Sequence, residues 1–174
     1  MRLFFALWPD DGVRARLAGW SRELHAACGG RAISTENLHL TVAFLGNVED
    51  AHVAEVVRAA AGVEPRAARL DLDRPGFWSH NRIAWAGASE VPAELDAFVQ
   101  ELRVALRRSS VDFDAKAFAV HITLLRDARA PQTMPELEPI RWDVDGFVLV
   151  RSQTQAGGSR YQVLKSWKAA GRLR

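Results

Sequence analysis

Residues 39–46 read HLTVAFLG, a run in which a histidine and a threonine interrupt otherwise apolar residues. The β-branched and aromatic residues of this run predict a buried strand. Side chains alternate between the two faces of a strand, so His39 and Thr41 share one face and Phe44 lies on the other. A titratable group and a hydroxyl on one face of a buried strand indicate that this face lines a site.

The same arrangement returns at residues 121–126, which read HITLLR. His121 and Thr123 share one face of this second predicted strand with Leu125, and Arg126 stands at its expected end. Nearly half of the chain separates the two histidines. This separation predicts a duplicated arrangement in which the two strands face each other across a groove.

Predicted strands and helices follow one another in the order strand, helix, strand, helix, strand, strand, helix, strand, strand, strand, which is an α+β pattern. Apolar residues at helical spacing predict helices over 10–28 and 91–110. Alternating residues predict a strand over 68–73, and its expected antiparallel partner is a strand over 82–87. The segment between these two strands, 74–81, is rich in turn residues.

Length and composition bound the class of protein. The 174 residues suffice for one domain, and 48% hydrophobic with 25% charged residues is typical of a globular chain. A net charge of +2 is too weak to indicate a nucleic-acid coat protein by itself, although it permits an anionic ligand. The single cysteine, Cys28, excludes an intramolecular disulfide and the usual cysteine-rich zinc sites. From this length we expect one domain over residues 1–174 and a monomer. The sequence has neither a membrane span nor a secretory signal, so we expect a cytoplasmic protein without membrane contact.

Two histidines with two spaced hydroxyls suit acid–base chemistry on a phosphate. An imidazole titrates near neutrality, so one histidine can act as a base while the other acts as an acid. The hydroxyls of Thr41 and Thr123 can donate hydrogen bonds to phosphate oxygens, and the guanidinium of Arg126 can add a bidentate contact. Such a set would support phosphoryl displacement through proton transfer and stabilisation of charge.

These residues resemble the 2H phosphoesterase superfamily, which is named for its two His-x-Thr/Ser motifs. Within it they are most similar to the RNA 2',3'-cyclic phosphodiesterase family, once described as 2'-5' RNA ligases. The resemblance covers nearly the whole chain, in RLFFALWP (2–9), ENLHLTVAFLG (36–46), FAVHITLLR (118–126) and LVRSQTQAGGSRYQVLKSW (149–167).

The resemblance implies an α+β fold of two interleaved lobes, each carrying one motif, with antiparallel or mixed sheets and flanking helices around a central cleft and pseudo-twofold symmetry. It also implies metal-independent hydrolysis of RNA 2',3'-cyclic phosphate ends to 2'-phosphates, with no cofactor. Carried over to this chain, His39 and His121 become the catalytic pair. The substrate-binding residues become Thr41, Thr123 and Arg126. We assign the role of base to His121 and that of acid to His39.

One position departs from the family pattern, which commonly has a proline directly before the second histidine. This chain has Val120 there. The loss of a rigid residue is expected to shift the entry of the strand slightly rather than to change the chemistry.

Three aromatic residues near the predicted groove are interpreted as packing residues, namely Phe77, Trp78 and Tyr161. For each of them the alternative is stacking on a bound nucleotide.

Three other functions stay open. Histidines also bind metals, as in a metal-dependent phosphoesterase, but neither four-residue core, HLTV or HITL, contains Asp or Glu. A non-catalytic module that binds RNA ends would keep the groove without turnover. A related activity on 2',5'-linked oligonucleotides or on an ADP-ribose cyclic phosphate, or slow ligation in reverse, would depend on the loops around the groove.

Overall fold

The computed structural model describes residues 1–155 and 158–170. Strands and helices are mixed along these residues, which confirms the α+β prediction. The strands are β1 (Arg2–Leu7), β2 (Arg31–Ala32), β3 (Leu40–Asn47), β4 (Ala68–Leu72), β5 (Arg74–Trp78), β6 (Ile83–Gly87), β7 (His121–Arg126), β8 (Ile140–Val144), β9 (Gly146–Gln155) and β10 (Gly158–Lys168). The helices are α1 (Asp11–Cys28), α2 (Val53–Ala61) and α3 (Ala93–Arg108), and short 3-10 turns cover Thr35–Asn37 and Asp50–His52.

The two long helices form where the apolar spacing predicts them. Helix α1 begins after Asp10, whose side chain accepts a hydrogen bond of 2.8 Å from the backbone N–H of Val13 and so caps the helix. The apolar stripes of both helices are buried in the main core, with Val13, Leu17, Trp20, Leu24 and Cys28 from α1 and Leu95, Phe98, Val99, Leu102 and Leu106 from α3. None of the helices in the described part of the chain is both long and apolar enough to cross a bilayer.

The two histidine motifs belong to two different antiparallel sheets. One sheet has the strand order β10-β9-β1-β3, and the other has the order β2-β7-β6-β5. A third sheet pairs β4 with β8. Strands β3 and β7 lie against each other, so the two motifs meet although they belong to separate sheets.

Each histidine strand contains a β-bulge at the residue that follows its threonine. On β3, Thr41 and Ala43 both have partners on β1, and Val42 between them has none. On β7, Leu124 is the extra residue opposite β6 in the same way. The two motifs therefore share a local distortion as well as a sequence.

The bulges overturn the simple alternation predicted for both strands. Ala43 and Leu125 are buried, although alternation placed Leu125 on the face of the second histidine. Phe44 and Arg126, one residue further along each strand, line the cleft beside the threonines. Phe44 was predicted on the opposite face. An extra residue in a strand shifts every later side chain to the other face, which accounts for these differences.

The predicted hairpin of residues 68–73 with residues 82–87 is wrong. Strand β4 pairs with β8, and β6 pairs with β7 and with β5, which lies within the segment predicted as a turn. Pro75 is tolerated because β5 is the edge strand of its sheet. Gly76 lies directly beneath the indole of Trp85, where a Cβ atom would collide with the ring. The Pro-Gly pair therefore serves edge pairing and close packing rather than a turn.

Candidate active site

His39 lies between the 3-10 turn Thr35–Asn37 and the first residue of β3. Its Nδ1 atom lies 2.7 Å from the backbone carbonyl of Asn37. A carbonyl only accepts hydrogen bonds, so Nδ1 carries the proton in this contact. The tautomer is thereby fixed, and Nε2 is the nitrogen that remains for a ligand in the cleft.

His121, the first residue of β7, repeats this arrangement. Its Nδ1 atom donates to the carbonyl of Ala119, which also lies two residues earlier in the chain, at 3.0 Å. The Nε2 atom is again left for the cleft. The substitution of Val120 for the usual proline thus leaves the second imidazole with the same hydrogen bond as the first.

A cavity of about 350 Å³, here called the histidine cleft, is lined by residues of both large sheets. It brings together all five residues that the sequence singled out, His39, Thr41, His121, Thr123 and Arg126. Two imidazoles, two hydroxyls and a guanidinium therefore face one space of a size that suits a phosphate with part of a nucleotide.

Aromatic rings surround the first histidine. The centroid of the His39 ring lies 4.7 Å from that of Phe4, 5.1 Å from that of Tyr161 and 5.9 Å from that of Trp8. Trp8 stacks with an angle of 20° between the planes, and Tyr161 presents its edge at 88°. These contacts hold the imidazole in place and remove water from around it.

Burial lowers the pKa of His39 from its ordinary value of 6.5 to about 4. The hydrogen bond to Asn37 acts in the opposite direction, and the positive charges of Arg14 and Arg126 lower the pKa further. Burial also lowers the pKa of His121, against the effect of its bond to Ala119. Both imidazoles of the free protein are therefore mainly neutral at pH 7.

The aromatic residues interpreted from the sequence as packing residues divide into two kinds. Phe77 packs against the main core, as interpreted. Trp78 lines the cleft, and its ring lies edge-on to His121 with centroids 4.8 Å apart. Tyr161 both packs against a small second core and lines the cleft beside His39. Trp78 and Tyr161 are therefore placed to contact a ligand.

Among the residues of the cleft that sequence reasoning missed are Arg2 and Phe44. The guanidinium carbon of Arg2 lies 5.0 Å from the centroid of the Phe44 ring. Arg2 is the first residue of the otherwise apolar strand β1 and has no motif around it, so no signal in the sequence points to it. Phe44 was missed because the bulge that turns it toward the cleft depends on the partner strand.

Asn37 and Ser159 join the two sides of the cleft entrance. The side-chain amide of Asn37 donates to the backbone carbonyl of Ser159 at 2.9 Å, which ties the 3-10 turn before His39 to β10.

Within residues 1–155 and 158–170, no group of three or more histidine, cysteine, aspartate and glutamate side chains is placed to hold a metal ion.

Comparisons with known proteins agree with this geometry. The family model described as LigT like Phosphoesterase matches residues 7–85. The RNA 2',3'-cyclic phosphodiesterase of Escherichia coli strain K12 is 33% identical over 168 residues, which cover 95% of each chain. The protein of the same name from Thermus thermophilus is 32% identical over 185 residues, which cover 98% of this chain and 91% of the relative.

A solved structure of E. coli LigT in complex with 3'-AMP superposes with a TM-score of 0.87 at 32% identity, over 98% of each chain. The similarity therefore extends over both sheets and both histidine motifs. It confirms the resemblance recognised in the sequence: this chain belongs to the LigT-like phosphoesterases of the 2H superfamily, in the family of RNA 2',3'-cyclic phosphodiesterases.

Proposed function

We propose that this protein hydrolyses RNA 2',3'-cyclic phosphate ends to 2'-phosphates, without a metal ion, through proton transfer by His39 and His121. The observation that carries the proposal is the duplicated imidazole geometry. In each motif Nδ1 donates to a carbonyl two residues earlier, and Nε2 is left for the same cleft. The relatives named RNA 2',3'-cyclic phosphodiesterase support the choice of substrate.

The reaction needs one proton acceptor and one proton donor. One neutral imidazole takes a proton from water as the water oxygen forms a bond to phosphorus. The bond between phosphorus and O3' breaks, and the second histidine, as an imidazolium, gives its proton to O3'. The products are a 2'-phosphate monoester and a free 3'-hydroxyl, with one molecule of water consumed.

The remaining residues of the motifs stabilise the phosphate. The hydroxyls of Thr41 and Thr123 donate to its non-bridging oxygens, and the guanidinium of Arg126 offsets the charge that develops on them. These groups are fixed on strands before the substrate arrives, so little reorganisation is needed during the reaction.

The assignment of acid and base follows from where the proton resides after the substrate has bound. Both imidazoles are mainly neutral in the free protein at pH 7, so the acid gains its proton with the help of the anionic substrate. The sequence hypothesis makes His39 the acid and His121 the base. The deep burial of His39 favours the opposite assignment, and a substrate with an altered leaving group separates the two.

The test is incubation of the purified protein with an RNA oligonucleotide that ends in a 2',3'-cyclic phosphate, with EDTA present. Chromatography that resolves 2'-phosphate from 3'-phosphate products identifies the leaving oxygen. We expect a 2'-phosphate from the wild type, and a loss on the order of 10² to 10⁴ in rate in His39→Ala and in His121→Ala. His52→Ala, at an exposed histidine away from the cleft, is the matched control and keeps the wild-type rate.

Each alternative gives a different result in this experiment or in the same assay with another substrate. Turnover that returns only when metal is restored would indicate a metal-dependent phosphoesterase. Binding of the RNA end without any product would indicate a non-catalytic module. Turnover of 2',5'-linked oligonucleotides or of an ADP-ribose cyclic phosphate, in place of the RNA end, would indicate a related activity. Ligated RNA would reveal the reverse reaction.

The expected monomer and the expected location in the cytoplasm belong to the same proposal. They fit an enzyme that acts on RNA ends and whose five motif residues all come from one chain. Light scattering after size-exclusion chromatography tests the monomer, and cell fractionation tests the location.

A further inference from the structure

A second and larger cavity opens from the histidine cleft. It has a volume of about 730 Å³, and five residues line both spaces, namely Ile33, Asn37, Arg126, Ser159 and Tyr161. The two spaces are therefore continuous on the side where the 3-10 turn before His39 meets β10. A ligand whose phosphate lies in the histidine cleft can continue into this second space.

The second cavity is rich in positive charge, and we call it the basic groove. Arg31 on β2, Arg126 on β7 and Arg160 on β10 line it, against one carboxylate among the described lining residues, that of Glu36. Ser34, Asn37 and Ser159 add small polar side chains. Three guanidinium groups from three strands along one groove are the kind of lining that follows the backbone of a single-stranded nucleic acid.

The arginines of the basic groove are available to a ligand. Arg31 has an ion pair with Asp127 at 3.7 Å, but both side chains are more than half exposed, so this pair is weak and its guanidinium remains accessible. Arg160 is exposed, and its strand β10 is the edge strand of its sheet.

A third cavity, on the other side of the histidine cleft, has a different lining. Its volume is about 410 Å³, and it contains the rings of Phe44, Trp78 and Phe118. Two cations line it: the buried Arg103, which donates to the carbonyl of Lys116, and the exposed Lys116, which pairs with Asp114 at 3.1 Å. The accessible positive charge here is therefore one ammonium group beside a carboxylate, whereas the basic groove offers a polyanionic strand three guanidinium groups.

We propose that the basic groove holds the phosphates of the nucleotides that precede the cyclic end, so that the preferred substrate is an RNA strand and not a mononucleotide. This inference rests on the proposed function, because it places the rest of the molecule whose end reacts between His39 and His121. Tyr161 stands where the two spaces join, with its ring beside His39, and offers a face on which the first base can stack.

The kinetic test compares 2',3'-cyclic AMP with oligoribonucleotides of increasing length that end in the same cyclic phosphate. In the wild type, kcat/KM rises with length. In Arg31→Gln and in Arg160→Gln, kcat/KM for the oligonucleotides falls roughly two- to fivefold, as expected for one exposed charge contact, while the rate on 2',3'-cyclic AMP stays at the wild-type value. Arg58→Gln, which removes an exposed charge outside every cavity described above, is the matched control.

A binding measurement separates failure of this inference from failure of the proposed function. Fluorescence anisotropy with labelled oligoribonucleotides that end in a 2'-phosphate gives Kd without turnover. The dependence of log Kd on log salt concentration should flatten by about 0.7 in Arg31→Gln and in Arg160→Gln. Affinity and kcat/KM that are independent of length, or variants that match Arg58→Gln, would overturn the inference. Absence of hydrolysis with every substrate would instead overturn the proposed function, and binding would still decide the role of the groove.

Discussion

The indole of Trp8 stacks on the imidazole of His39, with ring centroids 5.9 Å apart and an angle of 20° between the planes. Trp8 also contacts Arg14, whose guanidinium carbon lies 4.8 Å from the centroid of the Trp8 ring. Arg14 is buried, and it donates to the carbonyls of Pro9 (2.8 Å) and Thr35 (2.7 Å). Since Thr35 begins the turn that supplies the hydrogen bond to His39, Arg14 braces the histidine from two directions.

Removal of the charge of Arg14 should raise the pKa of His39. The cation disfavours the imidazolium, so Arg14→Gln stabilises the protonated form, and the pKa moves upward from about 4. Trp8→Ala should raise it as well, because it admits water to the ring. Titration of the imidazole nitrogens by NMR measures both effects. Arg22→Gln, which changes an exposed arginine on the same helix, is the control. If the titration curve of His39 in Arg14→Gln coincides with that in Arg22→Gln, Arg14 does not affect the pKa of His39.

The fold should become less stable as the pH is lowered, because His39 is held neutral in the folded protein. Its pKa in the folded protein, about 4, lies below the ordinary 6.5, so the unfolded chain binds the proton more readily. The contribution of neutral His39 to the free energy of unfolding is fully present above about pH 6.5 and is lost as the pH falls toward 4. Between pH 7.5 and 4.5 the loss is roughly 2 to 3 kcal/mol.

Urea unfolding at the two pH values measures this loss. In His39→Phe, whose ring suits the aromatic surroundings, the decrease in the free energy of unfolding should be smaller by that amount, although His121 and the carboxylates still contribute. An equal decrease in the wild type and in the variant would mean that His39 is not held neutral by the fold.

The sequence was sufficient to single out five residues that line one cleft, because their spacing along each strand is a local property. It was not sufficient to predict how they reach one cleft. Strict alternation would turn Arg126 away from Thr123, and the bulge at Leu124 turns it back. A bulge is a property of the pairing between two strands, so it leaves no mark in one strand's own pattern.

The wrong hairpin at residues 68–87 has a similar cause. Strand β4 finds its partner β8 far along the chain, and a local pattern cannot rank that pairing against a nearer one. The Pro75-Gly76 dipeptide is a turn signal in isolation. It forms a strand because β5 lies at a sheet edge and because the Trp85 ring occupies the space above the glycine.

The dependence of kcat/KM on pH should be bell-shaped and centred on the acid side of neutrality. Below the lowered pKa values of both histidines, which is about 4 for His39, both imidazoles are protonated and the base is lost. Above the pKa values of both histidines, each of which lies below 6.5, both imidazoles are neutral, the acid is lost and kcat/KM falls about tenfold per pH unit. The two apparent pKa values of the profile describe the pair of histidines together, so the profile alone does not show which histidine is the acid. Initial rates at low substrate concentration measure the profile, and a flat profile from pH 5 to 9 would contradict the two-histidine mechanism.

A substrate with sulfur in place of O3' should distinguish the acid from the base. A thiolate leaves without prior protonation, so the variant that lacks the acid regains activity, and the variant that lacks the base does not. We expect only one of His39→Ala and His121→Ala to recover with the sulfur analogue. Recovery of His39→Ala supports the assignment made from the sequence, and recovery of His121→Ala supports the one favoured by burial. Recovery of both or of neither would contradict the division of roles.

Arg126 and Phe44 occupy equivalent positions in the two motifs, three residues after each threonine and two after each bulged residue. Only the second motif thus supplies a cation from its own strand, and Arg2 lies over Phe44 in the first. Arg126→Gln should therefore lower kcat/KM about 10- to 100-fold, as expected from the loss of a hydrogen bond to a charged group of roughly 1.5 to 3 kcal/mol.

Arg126→Lys keeps the charge but loses the two-pronged contact, so it should recover only part of that rate. Arg2→Gln should cost less than Arg126→Gln, because Arg2 reaches the cleft from the neighbouring strand β1 and lies over an aromatic ring. Steady-state rates with 2',3'-cyclic AMP measure all three variants against Arg58→Gln. Full activity of Arg126→Gln would remove this arginine from the phosphate site, and a larger loss in Arg2→Gln than in Arg126→Gln would transfer the role to the first motif.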